Sequence, residues 1–326
     1  MRFHAALFLK RMKYSVFLLL FFGLPTLVGC SSSQQAQTKV QRKPLEKQQR
    51  EYKTPTNYEP RDRGYDPKTG KMITYDHKPR VEILDQKAGK YAFKWIGYDG
   101  KEKTAIFQRG DAIDVIVIAA ASKTSDGRYI YKYEAQNLPS SGTSLAGLAL
   151  QNFASDVKPI TPGGFAGQMS NQIVQFKDGH WIRFGNSFFG KAFEPGEQLS
   201  VELASSSPPG LVECRAHGGE SNLEGAGEEM PSALENLLPG YAEWPKGYTI
   251  GPVESLKALS LEQRIKYVLD RLPQLRMLGW MTDEAVARYQ VHLKRNDLES
   301  VLNELDRDVK SEQISTEVRA IIQAIK

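Results

Sequence analysis

The side chains best suited to covalent chemistry in this chain are its two cysteines, Cys30 and Cys214. Cys30 stands where an apolar run ends and the polar stretch SSSQQAQTK begins. A thiolate is a strong nucleophile, and at such a boundary its chemistry would be to take up a lipid. Cys214 then has no thiol to pair with, and it alternates with Val212 and Ala216 on one face of a predicted strand. This placement predicts a small buried side chain rather than a reactive thiol.

The segment before Cys30 has the layout of an export signal. A basic start is followed by an uncharged stretch at 14–29, and its 16 residues are fewer than the roughly 20 that a membrane-spanning helix needs. Small and aliphatic residues then precede the cysteine. The run Leu27-Val28-Gly29-Cys30 resembles the lipobox of bacterial lipoproteins.

This resemblance implies a signal peptide at 1–29 that is cut before Cys30. Cys30 would carry a diacylglycerol on its sulfur and a fatty acyl chain such as palmitate on its freed amine, because a single acyl chain anchors a protein only marginally. Two alternatives stay open: an uncleaved transmembrane anchor, and an ordinary cleaved signal with an accidental cysteine. Ser31 is compatible with the outer membrane, if the source has one, since the usual inner-membrane retention signal is Asp.

Other patterns of catalytic or metal-binding residues are missing from the sequence. The histidines, at 4, 77, 180, 217 and 292, lack the spacing of zinc ligands. The stretch GTSLAG around Ser144 departs from G-x-S-x-G because Ala146 stands where the second glycine belongs. Arg109-Gly110-Asp111 is the tripeptide that integrins recognise, but the same residues predict a turn before a strand. We therefore predict no catalytic residue, no bound metal and no cofactor.

Charge is distributed unevenly along the chain. Lysine and arginine number 43 and aspartate and glutamate 38, but four of the basic residues precede Cys30. Residues 30–80 carry a net charge of +6 and the rest of the chain beyond Cys30 carries −5. This asymmetry suits an anionic lipid surface better than a nucleic acid, and it is equally compatible with a solvated spacer. Residues 30–78, which have little aliphatic content, are predicted to be a basic, mostly disordered spacer.

Period-two alternation begins near residue 79 and continues to 219. About ten short strands are predicted there, with hairpin signals at Asp99-Gly100 and Asp178-Gly179. No helical period interrupts them, so a parallel α/β architecture is not expected. The pattern resembles bacterial immunoglobulin-like modules, although the Cys–Trp–Cys hallmark of antibody domains is missing. We predict an antiparallel, Ig-like β-sandwich over 79–219.

The remaining chain is predicted to form a linker at 220–255 and a helical domain at 256–326. The linker is rich in Gly, Pro and Glu. Four amphipathic stretches follow, of which the first is ended or kinked by Pro273, while Thr282, Asn296 and Ser315 begin the others as N-caps. The fold class is thus mainly β plus a separate α part, namely a sandwich followed by a small helical bundle.

An aromatic ladder is the remaining candidate site. Tyr129, Tyr131 and Tyr133 share one face of a predicted strand, where flat rings could contact a glycan or a partner protein. The opposite face carries Lys132 and Glu134, which favours the alternative that the tyrosines pack in the core.

Together these features predict a membrane-anchored bacterial envelope lipoprotein. Its expected partners are the lipid bilayer, through acylated Cys30, and an envelope protein or surface glycan, with no nucleic acid. We expect a non-catalytic interaction or structural module. The alternative is an envelope hydrolase that acts on glycan or peptide through carboxylates that the sequence does not pair.

Overall fold

A computed structural model of the chain describes residues 40, 42–47, 52–56, 63–65, 68–74, 76–160, 169–176, 179–186, 192–219, 230–238 and 244–326. The predicted signal peptide at 1–29 and the acylated Cys30 lie outside these residues. The signal peptide and the acylation of Cys30 therefore stay predictions.

Alternation of apolar and polar side chains produces fourteen strands in the described residues. In chain order they are β1 Arg63–Tyr65, β2 Met72–Thr74, β3 Arg80–Asp85, β4 Lys90–Ile96, β5 Glu102–Gln108, β6 Val115–Lys123, β7 Tyr129–Asn137, β8 Leu145–Gln151, β9 Lys158–Ile160, β10 Met169–Phe176, β11 Gly179–Asn186, β12 Gln198–Ser205, β13 Pro209–Gly218 and β14 Lys246–Pro252.

The strands pair antiparallel in two larger and two smaller sheets. A five-stranded sheet has the order β10-β11-β8-β13-β14, and a four-stranded sheet has the order β6-β7-β12-β9. The chain crosses between these two sheets several times, as it does in Ig-like sandwiches. A three-stranded sheet β3-β4-β5 and the pair β1-β2 complete the β structure. The predicted class, antiparallel β followed by helices, is confirmed.

The large core lies between the inner faces of the two larger sheets. On β7 the buried side chains alternate with exposed Lys132 and Glu134, and Tyr133 stands opposite Val201 of β12. On the five-stranded sheet Leu150 stands opposite Cys214, and both are fully buried. Period-two burial on both faces is what a sandwich requires, because each strand gives every second side chain to the core.

A smaller, aromatic core lies on the three-stranded sheet. Its buried side chains come from β4, β5, the short helix α1 Ser232–Glu235 and residue 52, and they are Tyr52, Tyr91, Phe93, Trp95, Ala105, Phe107 and Leu234. Asp99-Gly100 makes the predicted hairpin between β4 and β5, with Gly100 at φ +73°. That left-handed conformation is nearly free of strain only for glycine.

Four longer helices follow the sandwich: α2 Leu261–Met277, α3 Asp283–Lys294, α4 Leu298–Lys310 and α5 Thr316–Gln323. Their apolar faces belong to the large core, and α5 packs against β6, β13 and β14. Hydrogen bonds from Ala285 and Val318 to the side chains of Thr282 and Ser315 confirm these two predicted caps. No helix in the described part of the chain has both the length and the apolar character needed to cross a membrane.

One helix-boundary prediction was wrong. The cap of α4 is Asp297, whose carboxylate accepts from the Ser300 amide, whereas Asn296 adopts a left-handed turn with φ +57°. Asn tolerates that conformation better than most residues, so it serves the turn and its neighbour serves the cap. Of the two outcomes predicted for Pro273, the helix end does not occur, since α2 continues to Met277 with Leu272 and Leu275 buried on either side of the proline. Tertiary packing offsets the single hydrogen bond that Pro273 removes.

The linker prediction needs correction at 246–252, which form β14 and pair with β13 from Pro209 to Arg215. Gly247, Gly251 and Pro252 give this strand the composition of a loop. A strand at a sheet edge tolerates such residues, because one of its sides makes no ladder bonds.

The spacer prediction also needs correction, at 42–47 and at 52. Leu45 is buried in the large core and Tyr52 in the small one. Each is an apolar side chain in a polar stretch, and neither has a periodic neighbour that would predict its burial.

Candidate binding cleft

The aromatic ladder does not form a contact surface. This finding corrects the prediction that Tyr129, Tyr131 and Tyr133 contact a glycan or a partner protein. Tyr131 and Tyr133 are 0% and 1% exposed, and only Tyr129 reaches the rim of the core. The Tyr131 hydroxyl donates to the Ser207 carbonyl at 2.6 Å. Burial raises the pKa of the Tyr133 hydroxyl well above its ordinary value. Two of the three rings therefore fill the space between the sheets, as the alternative reading required.

Cys214 is likewise a core residue. It is fully buried, and burial raises the pKa of its thiol, with a further contribution from the charge of Glu213. A thiol that is kept protonated and away from solvent is a poor nucleophile. The prediction of a small buried side chain is confirmed.

The Arg109-Gly110-Asp111 tripeptide is folded on itself. Arg109 Nε donates to the Asp111 carboxylate at 2.6 Å, and Asp111 is only 3% exposed. The Arg109 guanidinium also lies over the Tyr52 ring, with 5.2 Å from Cζ to the ring centroid. The two charges thus satisfy each other and are not presented to a receptor.

The most unusual site in the described residues is the seam where the edge strands of the two larger sheets meet. The edges are β6 in one sheet and β14 in the other, and residues 42–47 run along both. Leu45 N–H donates to the Val115 carbonyl at 2.9 Å, while Glu46 and Lys246 exchange two backbone hydrogen bonds of 2.9 Å. Gly247 makes this possible, because a Cβ there would lie 2.6 Å from Leu45 Cδ2. The segment therefore closes both sheet edges at once.

The N-terminus of α5 closes the next part of the β6 edge. The Ala119 amide donates to Glu317 Oε1 at 2.7 Å, and the Thr316 hydroxyl donates to the Ala119 carbonyl at 2.9 Å. Arg42 Nη1 and Nη2 donate to the two oxygens of the Glu317 carboxylate at 2.6 and 2.9 Å. Glu317 is fully buried. A buried charge must be paired and hydrogen-bonded, and here a side chain from the N-terminal segment supplies the pair.

Between these closures a cleft of about 350 Å³ remains open. Residues 42–46 form one wall, and Ile116, Val117 and 246–248 form the second. Met277, Leu278 and Trp280, at the turn between α2 and α3, form the third wall. Met277 is 72% exposed and Tyr248 is 40% exposed, so two large side chains border the opening. The volume lies at the lower end of the range of small-ligand sites.

Charged side chains surround the opening of the cleft. Lys43, Lys246, Glu46 and Glu213 line it, and the Glu213 carboxylate pairs with Arg215 at 2.7 Å. Neither lysine makes an ion pair with another described residue. The cleft therefore combines apolar side chains with charges of both signs, and its two lysines can attract an anionic group.

A second polar cluster surrounds Asp156. It contains the residue types of a catalytic site, namely a carboxylate, serines and a lysine, but its hydrogen bonds point to a structural role. Ser205 Oγ and the Ser206 amide donate to its carboxylate at 2.6 and 2.7 Å, and Lys257 Nζ donates to Ser206 Oγ at 2.7 Å. Burial acts to raise the pKa of Asp156, but the serine hydrogen bonds and Lys257 outweigh it and hold the pKa below its usual range. A carboxylate whose pKa is held low is a weak base, so this cluster stabilises the β12–β13 turn and is poorly suited to activate a serine.

The outer face of the five-stranded sheet holds a stacked group around His217. Its ring stacks on Trp244 with a centroid distance of 4.0 Å, and Arg183 Nη2 lies 3.1 Å from His217 Nε2. Burial, and then the charge of Arg183, lower the pKa of His217 to about 4. This group attaches Trp244, which immediately precedes β14, to the centre of the sheet. No group of three or more metal-ligating side chains occurs among the residues that the structure describes.

The sequence did not predict the cleft or the roles of Arg42, Leu45 and Glu317. A weak signal was present in the isolated aliphatic Leu45 after Pro44, and in the Ser-Thr-Glu run that begins α5. Neither stretch indicates that it contacts the other, because the two are about 270 residues apart in the sequence. Backbone pairing at a sheet edge leaves no mark on side-chain pattern.

The fold defines a class of antiparallel β protein in which an Ig-like sandwich is followed by helices. No family model matches the sequence, and no curated protein is similar to it. Among solved structures, an uncharacterized protein from Nocardia farcinica with an immunoglobulin-like fold is similar to part of this chain. The match has 10% identity and a TM-score of 0.25, and it covers 40% of this chain and 95% of that one. At this TM-score the similarity carries no argument about this chain.

Proposed function

We propose that the protein is a lipid-anchored module of the bacterial envelope that binds a protein or a surface glycan and performs no catalysis. The observation that carries the binding role is the cleft between the two sheet edges. Its lining combines apolar side chains with charged ones of both signs, and its exposed Met277 adapts easily to a bound surface. Such a combination is typical of recognition sites.

The anchor rests on the lipobox resemblance at residues 27–30. Replacement of Cys30 by Ser should leave an unprocessed precursor and abolish labelling by a fatty-acid analogue. The matched control is Cys214→Ser, which leaves the other thiol in place and should be labelled as the parent is. Normal processing and acylation of the Cys30→Ser protein would remove the lipoprotein part of the proposal.

The binding role can be tested in cells of the source organism. A photo-crosslinking amino acid at position 277 should capture a specific envelope component, and one at exposed position 72 should not. Mass spectrometry and glycan analysis of the adduct would tell a protein from a glycan. Absence of a specific adduct from cleft positions 43, 248 and 277 alike would contradict a binding role for this site.

One observation favours the alternative of an envelope hydrolase. Glu46 and Glu213 both line the cleft, and a pair of carboxylates is the minimum machinery for hydrolysis of a glycosidic bond. The Glu213 carboxylate already accepts a hydrogen bond from Arg215 Nε at 2.8 Å, which argues against its use on a substrate. Purified protein should release no product from cell-wall glycan or an unstructured peptide. Activity that Glu46→Gln or Glu213→Gln abolishes would replace the binding proposal by this alternative.

A further inference from the structure

The β6 edge has one residue whose backbone is open between two that are paired. In an antiparallel ladder the N–H and C=O groups of alternate residues point away from the neighbouring strand. Val115 and Ala119 point outward, since they bond to Leu45 and to the start of α5. Val117 lies between them and must point outward as well. Its amide and carbonyl have no hydrogen-bond partner in the described parts of the chain, and the residue lines the cleft.

The β14 edge repeats this arrangement from the opposite side. Lys246 points outward and exchanges both of its backbone bonds with Glu46. Two residues further on, Tyr248 points outward in the same way, and antiparallel continuation of the pairing would set it opposite Pro44. Proline has no amide hydrogen, so it cannot donate to the Tyr248 carbonyl and the pairing ends there. Tyr248 also lines the cleft.

The chain itself demonstrates what these edges accept. Successive residues of an extended strand direct their backbone groups to opposite sides, and Leu45 and Glu46 use this to bond to β6 and to β14 respectively. An extended residue of another chain that lies beside Val117 or Tyr248 would find an outward-pointing amide and carbonyl to bond to. Met277, Leu278 and Trp280 offer apolar contact to its side chains, and Lys246 offers a positive charge.

From these observations we propose that the cleft binds an extended segment of a partner protein, which adds as a strand between Val117 and Tyr248. The segment carries an apolar side chain that packs against Met277 and an acidic side chain that pairs with Lys246. This inference rests on the proposed binding function and narrows its partner to a protein. Strand addition draws affinity from backbone bonds and specificity from side-chain contacts.

Amide hydrogen exchange of the full chain measures the open edges directly. In the free protein the Val117 and Tyr248 amides should exchange much faster than those of Ala119 and Lys246, which are already bonded to Glu317 and Glu46. These two bonded amides are internal controls, because they lie two residues away on the same strands. Slow exchange at Val117 and Tyr248 in the free protein would overturn the proposal.

The ligand chemistry is tested with a random library of ten-residue peptides selected on the immobilised full chain. Selected peptides should combine an acidic and a large apolar residue, and their binding should slow exchange at Val117 and Tyr248. Met277→Lys and Lys246→Glu should each weaken binding about tenfold, as is typical of a central contact. Met72→Lys and Lys101→Glu make the same chemical changes at exposed positions outside the cleft and should have no effect. Thermal melting of all four variants verifies that each is folded.

Three results would overturn the proposal. They are selection of no peptide, binding that the cleft variants do not weaken, and binding that leaves exchange at Val117 and Tyr248 unchanged. The last result, together with competition by decanoate, would assign the cleft to an anionic amphiphile instead. If a photo-crosslinking amino acid at position 248 captures an envelope component from the Met277→Lys and Lys246→Glu proteins as it does from the parent protein, the binding function stands and only its placement by strand addition is lost.

Discussion

The two cores of the molecule each bury one residue from the stretch at 30–78, but they hold it by different forces. Leu45 enters the large core through backbone bonds to β6 and β14, with the Arg42–Glu317 ion pair beside it. Tyr52 enters the small core through its ring, which lies 4.8 Å from Tyr91 and 5.4 Å from Phe107 between centroids. The first attachment depends on directional polar contacts and the second on apolar burial.

This difference predicts how each attachment responds to substitution, because the attachment at Leu45 depends on a single buried carboxylate and the attachment at Tyr52 does not. Hydrogen bonds to a buried charge fail together when the charge is removed, because each partner is left unsatisfied. Aromatic contacts decrease gradually with the surface that is lost. The large core should therefore respond sharply to one substitution at the seam, and the small core should respond in proportion to the size of the new side chain.

The largest effect is expected for Glu317→Ala. The change leaves the Ala119 amide without an acceptor at the buried edge of β6 and leaves Arg42 without its anion. The free energy of unfolding should fall by about 4 kcal/mol. Urea denaturation measures it, and Arg42→Ala, which leaves the Ala119 bond in place, should cost clearly less. Equal losses in the two variants would show that the ion pair and not the edge closure holds the seam.

The pH dependence of stability that arises from His217, in the five-stranded sheet of the large core, should be the next largest effect. The pKa of His217 is lowered to about 4 in the folded chain, so the unfolded chain binds the extra proton between about pH 6.5 and 4. Stability is fully present above this window and falls as the pH drops through it, by about 3 kcal/mol in total. Melting of the parent and of His217→Gln from pH 7.5 to 4 isolates this part. Parallel profiles would contradict it.

Tyr52→Leu tests the small core. Leucine keeps part of the apolar burial but loses the ring contacts with Tyr91 and Phe107 and the contact with the Arg109 guanidinium. A loss of about 2 kcal/mol is expected. Tyr52→Phe should cost much less, because it keeps the rings together. If Tyr52→Leu and Tyr52→Phe are equally destabilising, the hydroxyl and not the ring holds this residue.

The smallest effect is expected for Cys214→Ala in the large core. It removes one small buried group and should cost about 1 kcal/mol. Cys214→Asp places a charge in the same space and should be far worse. Thiol labelling of the native protein should be slow and should become fast in denaturant. Rapid labelling of the native thiol would show that the sandwich opens at β13 more easily than the contact pattern implies.

The sequence was sufficient for those parts of the fold that repeat a local rule. Period-two alternation predicted the strands of the sandwich, Asp99-Gly100 predicted a hairpin, and Thr282 and Ser315 predicted helix starts. Each rule acts over a few residues, so the pattern is visible without the fold. The same kind of reasoning went wrong at Asn296, where the neighbouring Asp297 provides the cap.

The candidate site could not be read in the same way. Its walls come from 42–46, from two strand edges and from the turn at 277–280, and no local pattern links them. The tyrosine ladder illustrates the converse, since Tyr129, Tyr131 and Tyr133 form a clear local pattern that is compatible with either a surface or a core. Only the second sheet, packed over that face, decided between the two.

The amino-acid sequence by itself determined three features: the alternation of apolar and polar residues in the strands, the helical C-terminal region and the burial of Cys214. All three follow from side-chain periodicity. The tertiary structure decided that residues 42–47 close both sheet edges, that 246–252 form a strand, and that Val117 and Tyr248 keep open backbone groups beside a cleft. These features depend on which edges meet and on where Pro44 interrupts the pairing. Edge pairing uses backbone atoms that are the same in almost every residue, so it is specified by position in space and not by residue type.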